Sequence, residues 1–368
     1  MLQSTHPDER DIELVDALQL NARASWSVVA RVVDASTVTL ARRWERLTND
    51  RLAWSSISLT AQASQGAVIE LECSHGSEEA IAMLLAERPE VITVGVSTGE
   101  FKVHGILLTT DLASIHNALA RAIPDDPRIL RSRVHAFGSM LGGVLWREGV
   151  ISPQMTRYVK DDADQLRAAT PLLGIEDRAV FLALALDGRR SFTELAASLG
   201  KSEYAIKRRI NRLSRAGEIG FRCDIARPVF GYPLGAVVQL QVPDDEIASI
   251  GSAIGGWKET RFCAEVTSPA NLLLIVGVRS MEHLQTVFRR VRTRYPSASI
   301  LDRRLITRQV KVYGRILDQL GRCERAIPVD PWAGSDGWSV PVDRGRPDKN
   351  ERPPPSPGFP EYGRSSSS

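Results

Sequence analysis

The chain has 368 residues, ordinary apolar content (43% hydrophobic) and a formal net charge of only +3, so it has room for two to four domains with real cores, and charge alone neither demands nor excludes a polyanionic partner. Its four cysteines, Cys73, Cys223, Cys263 and Cys323, are scattered, with no C-x-x-C pair and no His at ligand spacing, which argues against a zinc site or a disulfide framework and for a reducing, cytoplasmic setting. The first twenty residues are acidic and lack the order of a signal peptide, and no apolar run approaches the roughly 18 residues a bilayer span needs, so no membrane partner is expected.

In chain order, residues 8–20, 26–33 and 37–49 read as three helices, with Asp34 and Ala35 taking the turn between the second and third. Residues 67–73 then alternate as a strand, 77–88 are helical, 90–96 and 101–108 are strands joined by a short turn, 111–122 are helical and 129–137 form a last strand. A second trio follows. The helix of 176–186 stops at Asp187 and Gly188. Ser191 and Glu194 form a capping box ahead of a helix over 192–199, and Gly200 ends it where a left-handed turn is needed. Ser202 caps the third helix, whose Ile206, Ile210 and Leu213 make one apolar stripe while Lys201, Lys207, Arg208, Arg209, Arg212 and Arg215 occupy the other faces. Gly217 closes that helix and a strand opens at Ile219, as in a wing. Segments 236–242, 245–254, 257–266, 272–278, 281–295 and 300–312 repeat the order strand, helix, strand, strand, helix, strand.

The two halves are copies. Ser36, Leu40, Arg42, Trp44 and Leu47 match Ser202, Ile206, Arg208, Ile210 and Leu213, and Thr98 and Ile129 match Thr267 and Ile300. Three matches in order, at slowly drifting offsets, indicate internal duplication. The fold class is therefore α+β: two winged helix-turn-helix domains (8–60 and 174–225) alternating with two ferredoxin-like βαββαβ domains (66–145 and 230–322), joined by a linker at 146–173. Each sheet leaves one face free of helices, to be buried against the other half or another chain. From residue 323 to 368 Pro, Gly, Ser and charge dominate, which reads as a disordered tail whose removal after Glu324 leaves folding intact.

A basic third helix in a short-helix trio, twice, fits double-stranded DNA, with the start of that helix nearest the bases. The candidate contacts are Thr37, Arg42, Arg43 and Arg46 in the first copy, the arginines facing outward, and Ser202, Tyr204, Lys207, Arg208, Arg209 and Arg212 in the second. Glu45 and Asp50 dilute the first copy's charge, so its contribution is weaker. No catalytic motif or metal cluster stands out, and His104 and His135 read as satisfied structural residues on strands.

These residues, with the stretch from Leu234 to Leu240 and the turns at Thr98-Gly99 and Thr267-Ser268, resemble the Lrp/AsnC family of transcription regulators, in two full copies. The resemblance implies DNA binding, dimerisation through the effector sheets, either within the chain or as a homo-oligomer, and an amino-acid-like effector near the turns. The residues there are Thr98, Gly99 and Lys102 in one copy and Thr267, Ser268 and Asn271 in the other. Where the family carries Asp this chain has Lys102 and Asn271, so the carboxylate that holds an α-amino group is absent and Lys102 suits an anion better. The same fold is similar to siroheme decarboxylases, which pair two such halves. That alternative calls for His and Arg around a large pocket between the effector sheets and for less basic third helices.

Overall fold

The structure, a computed structural model, describes residues 6–143, 149–161 and 173–335. The first helix-turn-helix comprises α1 (Glu9–Leu20), α2 (Trp26–Val33) and α3 (Thr37–Asn49), followed by β1 (Ala53–Leu59). Each start is fixed locally. Asp8 and Asp11 cap one another's backbone amides, and the Ser25 and Ser36 hydroxyls accept from Val28 N and Thr39 N. Between α2 and α3 Asp34 adopts φ 49°, ψ 56°, a left-handed turn that a short polar side chain tolerates.

The first effector domain runs through β2 (Gln65–Cys73), α4 (Glu78–Ala86), β3 (Val91–Ser97), β4 (Val103–Thr109), α5 (Ile115–Ala122), β5 (Ile129–Phe137) and β6 (Met140–Gly142). Helix α6 (Pro153–Asp161) follows, inside the segment expected as linker. Ile151 and Val159 there are buried against the first trio, and the Asp16 carboxylate accepts from Gly149 N and Ile151 N, both at 3.2 Å. The second copy repeats the plan with α7 (Arg178–Leu186), α8 (Phe192–Leu199), α9 (Glu203–Arg215) and β7 (Ile219–Ile225), then β8 (Leu234–Gln241), α10 (Ile247–Gly255), β9 (Thr260–Glu265), β10 (Leu272–Val278), α11 (Met281–Arg294), β11 (Ser299–Val312), β12 (Arg315–Leu317) and β13 (Cys323–Ala326). The Ser191–Glu194 capping box forms, and Gly200 takes φ 62° at the position of Asp34.

Neither helix-turn-helix closes with a hairpin of its own. β1 and β7 pair with each other, antiparallel, from Ala53 opposite Ile225 to Leu59 opposite Ile219. In that register Ser56 faces Arg222, its own counterpart at the duplication offset, so a pseudo-two-fold axis passes between them.

The effector sheets fuse in the same way. Their order is β5-β2-β4-β3-β11-β8-β10-β9-β6. The long β11 pairs β8 over Ser299–Ile306 and β3 over Ile306–Val312, while β5 pairs β2 and its continuation β6 pairs β9. Only Gly138 and Ser139 separate β5 from β6, so the sheet closes into a ring with two strands shared between the halves and no unpaired edge at either junction. The helix-free faces of both sheets meet inside the ring, as expected. Val68, Ile92, Ile106 and Phe137 pack there with Val237, Phe262 and Ile275, with Phe137 edge-on to Phe262 at 5.5 Å. Separate cores lie under the helices of each effector domain.

Two expectations are corrected. Val68 pairs His135 and Val237 pairs Arg304, an offset of 169 in both strands, so the Ile129–Ile300 match at 171 is out of register; each last strand carries a bulge beyond this point, at Glu72/Cys73 and at Ile300/Asp302. The chain from 323 to 335 is also structured rather than disordered. β13 pairs β12, Val329 and Trp332 are buried, Trp332 lies edge-on to Phe181 at 5.4 Å, and Asp330 accepts from Arg178 Nη2 at 2.6 Å. Its tryptophan supplies apolar area that a composition count averages away. Residues 336–368 lie outside the described residues. No described helix is long and apolar enough to cross a membrane.

Candidate nucleic-acid interface

In α9, Ile206, Ile210 and Leu213 are buried and fix which faces remain. Glu203, Tyr204, Lys207, Arg208, Asn211, Arg212 and Arg215 are exposed. Tyr204 is the extreme case, 73% exposed at the first turn, with the Arg208 guanidinium 5.7 Å from its ring. An exposed aromatic there gains nothing for the fold. Among the described residues Lys207, Arg208, Arg212 and Arg215 form no ion pair, so four unneutralised cations stand on one helix. Ser202 is the cap of that helix, its hydroxyl 3.2 Å from Ala205 N.

Arg209 does not belong with them. It forks onto Asp177, with Nε and Nη2 each 2.6 Å from a carboxylate oxygen, and reaches Glu176 at 3.3 Å. The hydrogen bond to Asp177 raises its pKa. Its counterpart Arg43 does the same. It bonds Asp8 at 2.7 and 2.8 Å and the fully buried Asp11 at 2.9 Å, and its pKa is raised, first by Asp8. Arg46 adds a second bond to Asp11 at 2.5 Å. The expectation that Arg42, Arg43 and Arg46 all face outward is therefore corrected. Arg43, Arg46 and Arg209 tie the third helix to the start of the first, and the spacing of residues along one helix cannot reveal a partner on another. On α3 that leaves Arg42 as the cation without an ion pair among the described residues, with Glu45 beside it and Thr37 and Val38 exposed at the start.

The two trios are locked together by a reciprocal exchange. Arg23 Nη1 donates to Gly188 O at 2.6 Å and Arg190 O at 3.1 Å; Arg189 donates to Ala22 O at 2.6 Å and Ala24 O at 3.1 Å. Arg23 also lies over the Phe192 ring at 4.7 Å and Arg189 over Trp26 at 4.1 Å, again counterparts. With the β1–β7 ladder this fixes α3 and α9 in one relative orientation.

The effector turns also meet across the halves. Thr98 N donates to Leu305 O at 2.8 Å, and Thr267 N donates to Ala136 O at 2.9 Å. Between them is a cleft of about 630 Å³ whose lining includes Gly99, Thr267, Ser268, Phe101, Arg133 and His135. Lys102 and Asn271 are spent elsewhere. Lys102 Nζ bonds Glu78 at 2.6 Å, and the Asn271 amide closes onto Val242 N and O at 2.9 and 2.7 Å. The cleft floor is a buried polar cluster that residue-by-residue reading missed. Glu70 takes His135 Nε2 at 3.0 Å, Gln239 Nε2 at 3.0 Å and the Arg304 guanidinium. Burial alone would raise the Glu70 carboxyl, but His135 and Arg304 hold it at about 2. Glu70 and Gln239 are counterparts, as are His135 and Arg304, a relation that the duplication offset exposes once it is set at 169. His135 is thus satisfied through Nε2. His104 is not: both ring nitrogens lack partners among the described residues, and burial pushes its pKa down to about 4. No group of His, Cys, Asp and Glu among the described residues is arranged to hold a metal.

The AsnC-type helix-turn-helix domain matches twice, at residues 8–48 and 177–214. The HTH-type transcriptional regulator LrpA of Mycobacterium tuberculosis is 31% identical over 123 residues, which is 32% of this chain and 79% of that protein. A second HTH-type transcriptional regulator of the same organism is 28% identical over 122 residues, covering 80% of its length. Over the tandem as a whole, the crystal structure of the siroheme decarboxylase NirDL shares the fold, with a TM-score of 0.52 and 18% identity, over 86% of this chain and 96% of that one. Two AsnC-type domains, each on a trio whose third helix is built and capped alike, and a relative matched over most of its length place this chain in the Lrp/AsnC family of helix-turn-helix transcriptional regulators.

Proposed function

We propose that this chain is a sequence-specific DNA-binding regulator in which one polypeptide does the work of a dimer and α9 is the principal reading helix. The carrying observation is the set of unpaired cations on α9, Lys207, Arg208, Arg212 and Arg215, with Tyr204 and Ser202 at its exposed start. A helix so placed presents its first residues to base edges and its flanks to phosphates. α3 contributes Thr37 and Arg42 and binds more weakly. The relatives' names, HTH-type transcriptional regulators, support the same reading.

The cleft between the effector turns is the proposed effector site. Arg133 and the Gly99 and Ser268 turns at its rim suit a small carboxylate-bearing molecule, with Lys102 and Asn271 acting only to shape the loops. The test is fluorescence anisotropy of the full chain on its own upstream DNA across a salt series with excess competitor. Four phosphate contacts give a slope of log K against log salt of roughly −3.6, at about 0.9 per contact. Binding abolished by competitor at every salt concentration would refute sequence-specific reading.

A second reading, a tetrapyrrole enzyme, rests on Arg133, His135 and Arg304 meeting at a cleft of this size. Glu70 already engages His135 and Arg304, and Glu100 and Asp302 add negative charge to the lining, so the cleft is nearly neutral. A saturable absorbance change on adding an iron porphyrin with carboxylate side chains, lost in Arg133→Ala, would put that reading first.

A further inference from the structure

We propose that the chain holds one small anion, a phosphate or a short carboxylate, in a recess between β7 and the second effector sheet, with Arg227 as its ligand and Arg222 on the adjoining lobe as a second cation near it. The recess has a main lobe of about 100 Å³ and an adjoining lobe of about 30 Å³, and Arg227 lines both. It is distinct from the cleft at the effector turns, sharing no lining residue with it.

Arg227 is partly buried, and its guanidinium has no hydrogen bond or ion pair among the described residues. Burial lowers its pKa to about 10, partly offset by Asp224. Arg222, whose side chain is 5% exposed, forks onto Asp224 through Nε and Nη2 at 2.6 and 2.7 Å, which leaves its Nη1 without a partner. Asp224 therefore serves one cation where two stand. Asp318, also on the wall, uses its Oδ1 within its own loop, accepting from Leu320 N at 2.9 Å and Arg322 N at 2.8 Å. Arg308 is spent on the carbonyls of Gln309 at 3.1 Å and Leu317 at 2.6 Å.

The remaining walls combine apolar side chains, with Ile275 and Val312 common to both lobes, and polar ones such as Thr307 and Gln309. A guanidinium in such a place is costly without a counter-charge, and a charge-assisted bond to an anion is strengthened there. Size selects among anions. A cavity of about 150 Å³ accepts benzene, so the main lobe takes something smaller: phosphate, or a carboxylate of two to four carbons. The first copy has Ala61 where the second has Arg227, so the site is single.

The test is calorimetric titration of the full chain with inorganic phosphate and with acetate at constant ionic strength, alongside thermal melting. Saturable binding at one site per chain is expected, together with a melting temperature that rises with anion. Arg227→Gln should weaken binding at least tenfold and, in anion-poor buffer, melt at or above the wild-type temperature, because it removes an unpaired charge. Preference for phosphate over acetate assigns a phosphorylated ligand, and the reverse a carboxylate. Absence of saturable binding, binding unchanged in Arg227→Gln, or a lower melting temperature for the anion-free variant would overturn the proposal.

Discussion

The arginines of the third helices divide into two jobs, and a pair of variants of α9 separates them. Arg208 and Arg212 are exposed and form no ion pair among the described residues. Replacing both with Ala should leave stability within about 0.5 kcal/mol. If each contacts one phosphate, the salt slope of DNA binding falls by about 1.8, at roughly 0.9 per contact. Arg209, their neighbour, should behave in the opposite way. Asp177 is 3% exposed and accepts Arg209 at 2.6 Å through both oxygens. Removing the guanidinium leaves that carboxylate with the Gly174 amide at 3.0 Å as its remaining bond given by the structure. The loss is roughly 1–3 kcal/mol, or a melting shift of about 2–4 °C per kcal/mol for a unit of this size. Paired anisotropy and melting on both variants read the two effects. An Arg209→Ala protein that melts like wild type with a reduced salt slope would refute the division, as would a double variant whose slope is unchanged.

Truncation after Glu324, or Trp332→Ala within the full chain, should be strongly destabilising. The indole is 3% exposed and packs on Phe181, and losing a buried Trp costs about 3–5 kcal/mol; an unchanged urea midpoint would contradict this. Stability should also fall in acid in two steps. The folded His104 pKa of about 4 lies below its usual 6.5, so the unfolded chain binds the extra proton and stability is lost as pH drops from about 6.5 to 4. The folded Glu70 pKa of about 2 lies below 4.5, so its contribution is present above about 4.5 and lost between there and 2. Urea unfolding across pH should show both, and His104→Leu should flatten the upper step. Arg23→Ala or Arg189→Ala should loosen the joint between the trios, since each holds two carbonyls of the facing copy at 2.6 and 3.1 Å. Amide exchange in β1 and β7 should then quicken, while α4 and α11 stay protected.

The elements legible in the sequence were those set by near neighbours. The helix trios, the Ser191 and Ser202 caps and the strand order all follow from residues within one turn or one alternation. What escaped depends on contacts across many residues. Arg209 reads as basic surface until Asp177 is brought 2.6 Å away. His135 reads as an isolated strand residue until Glu70 and Arg304 surround it. Likewise Trp332 sits in a polar, Pro-rich stretch, and the distant Phe181 gives it a place in the core.

Fusing the two copies has a consequence at the axis between β1 and β7. In a dimer of identical chains, a residue on the two-fold axis meets itself, so an arginine there would face an arginine in a buried ladder. Here the position is split between Ser56 and Arg222. The cation needs no second copy of itself to be tolerated, and it is free to keep Asp224 on one side and an open Nη1 on the other. The same release applies at the second axis, where Glu70 meets its counterpart Gln239 and also takes His135 and Arg304, a join at which symmetry would have set carboxylate against carboxylate. A tandem chain thereby places a single charge opposite a neutral counterpart at positions where a homodimer is restricted to neutral or self-tolerant residues. Its two third helices are likewise free to differ in sequence, as α3 and α9 do.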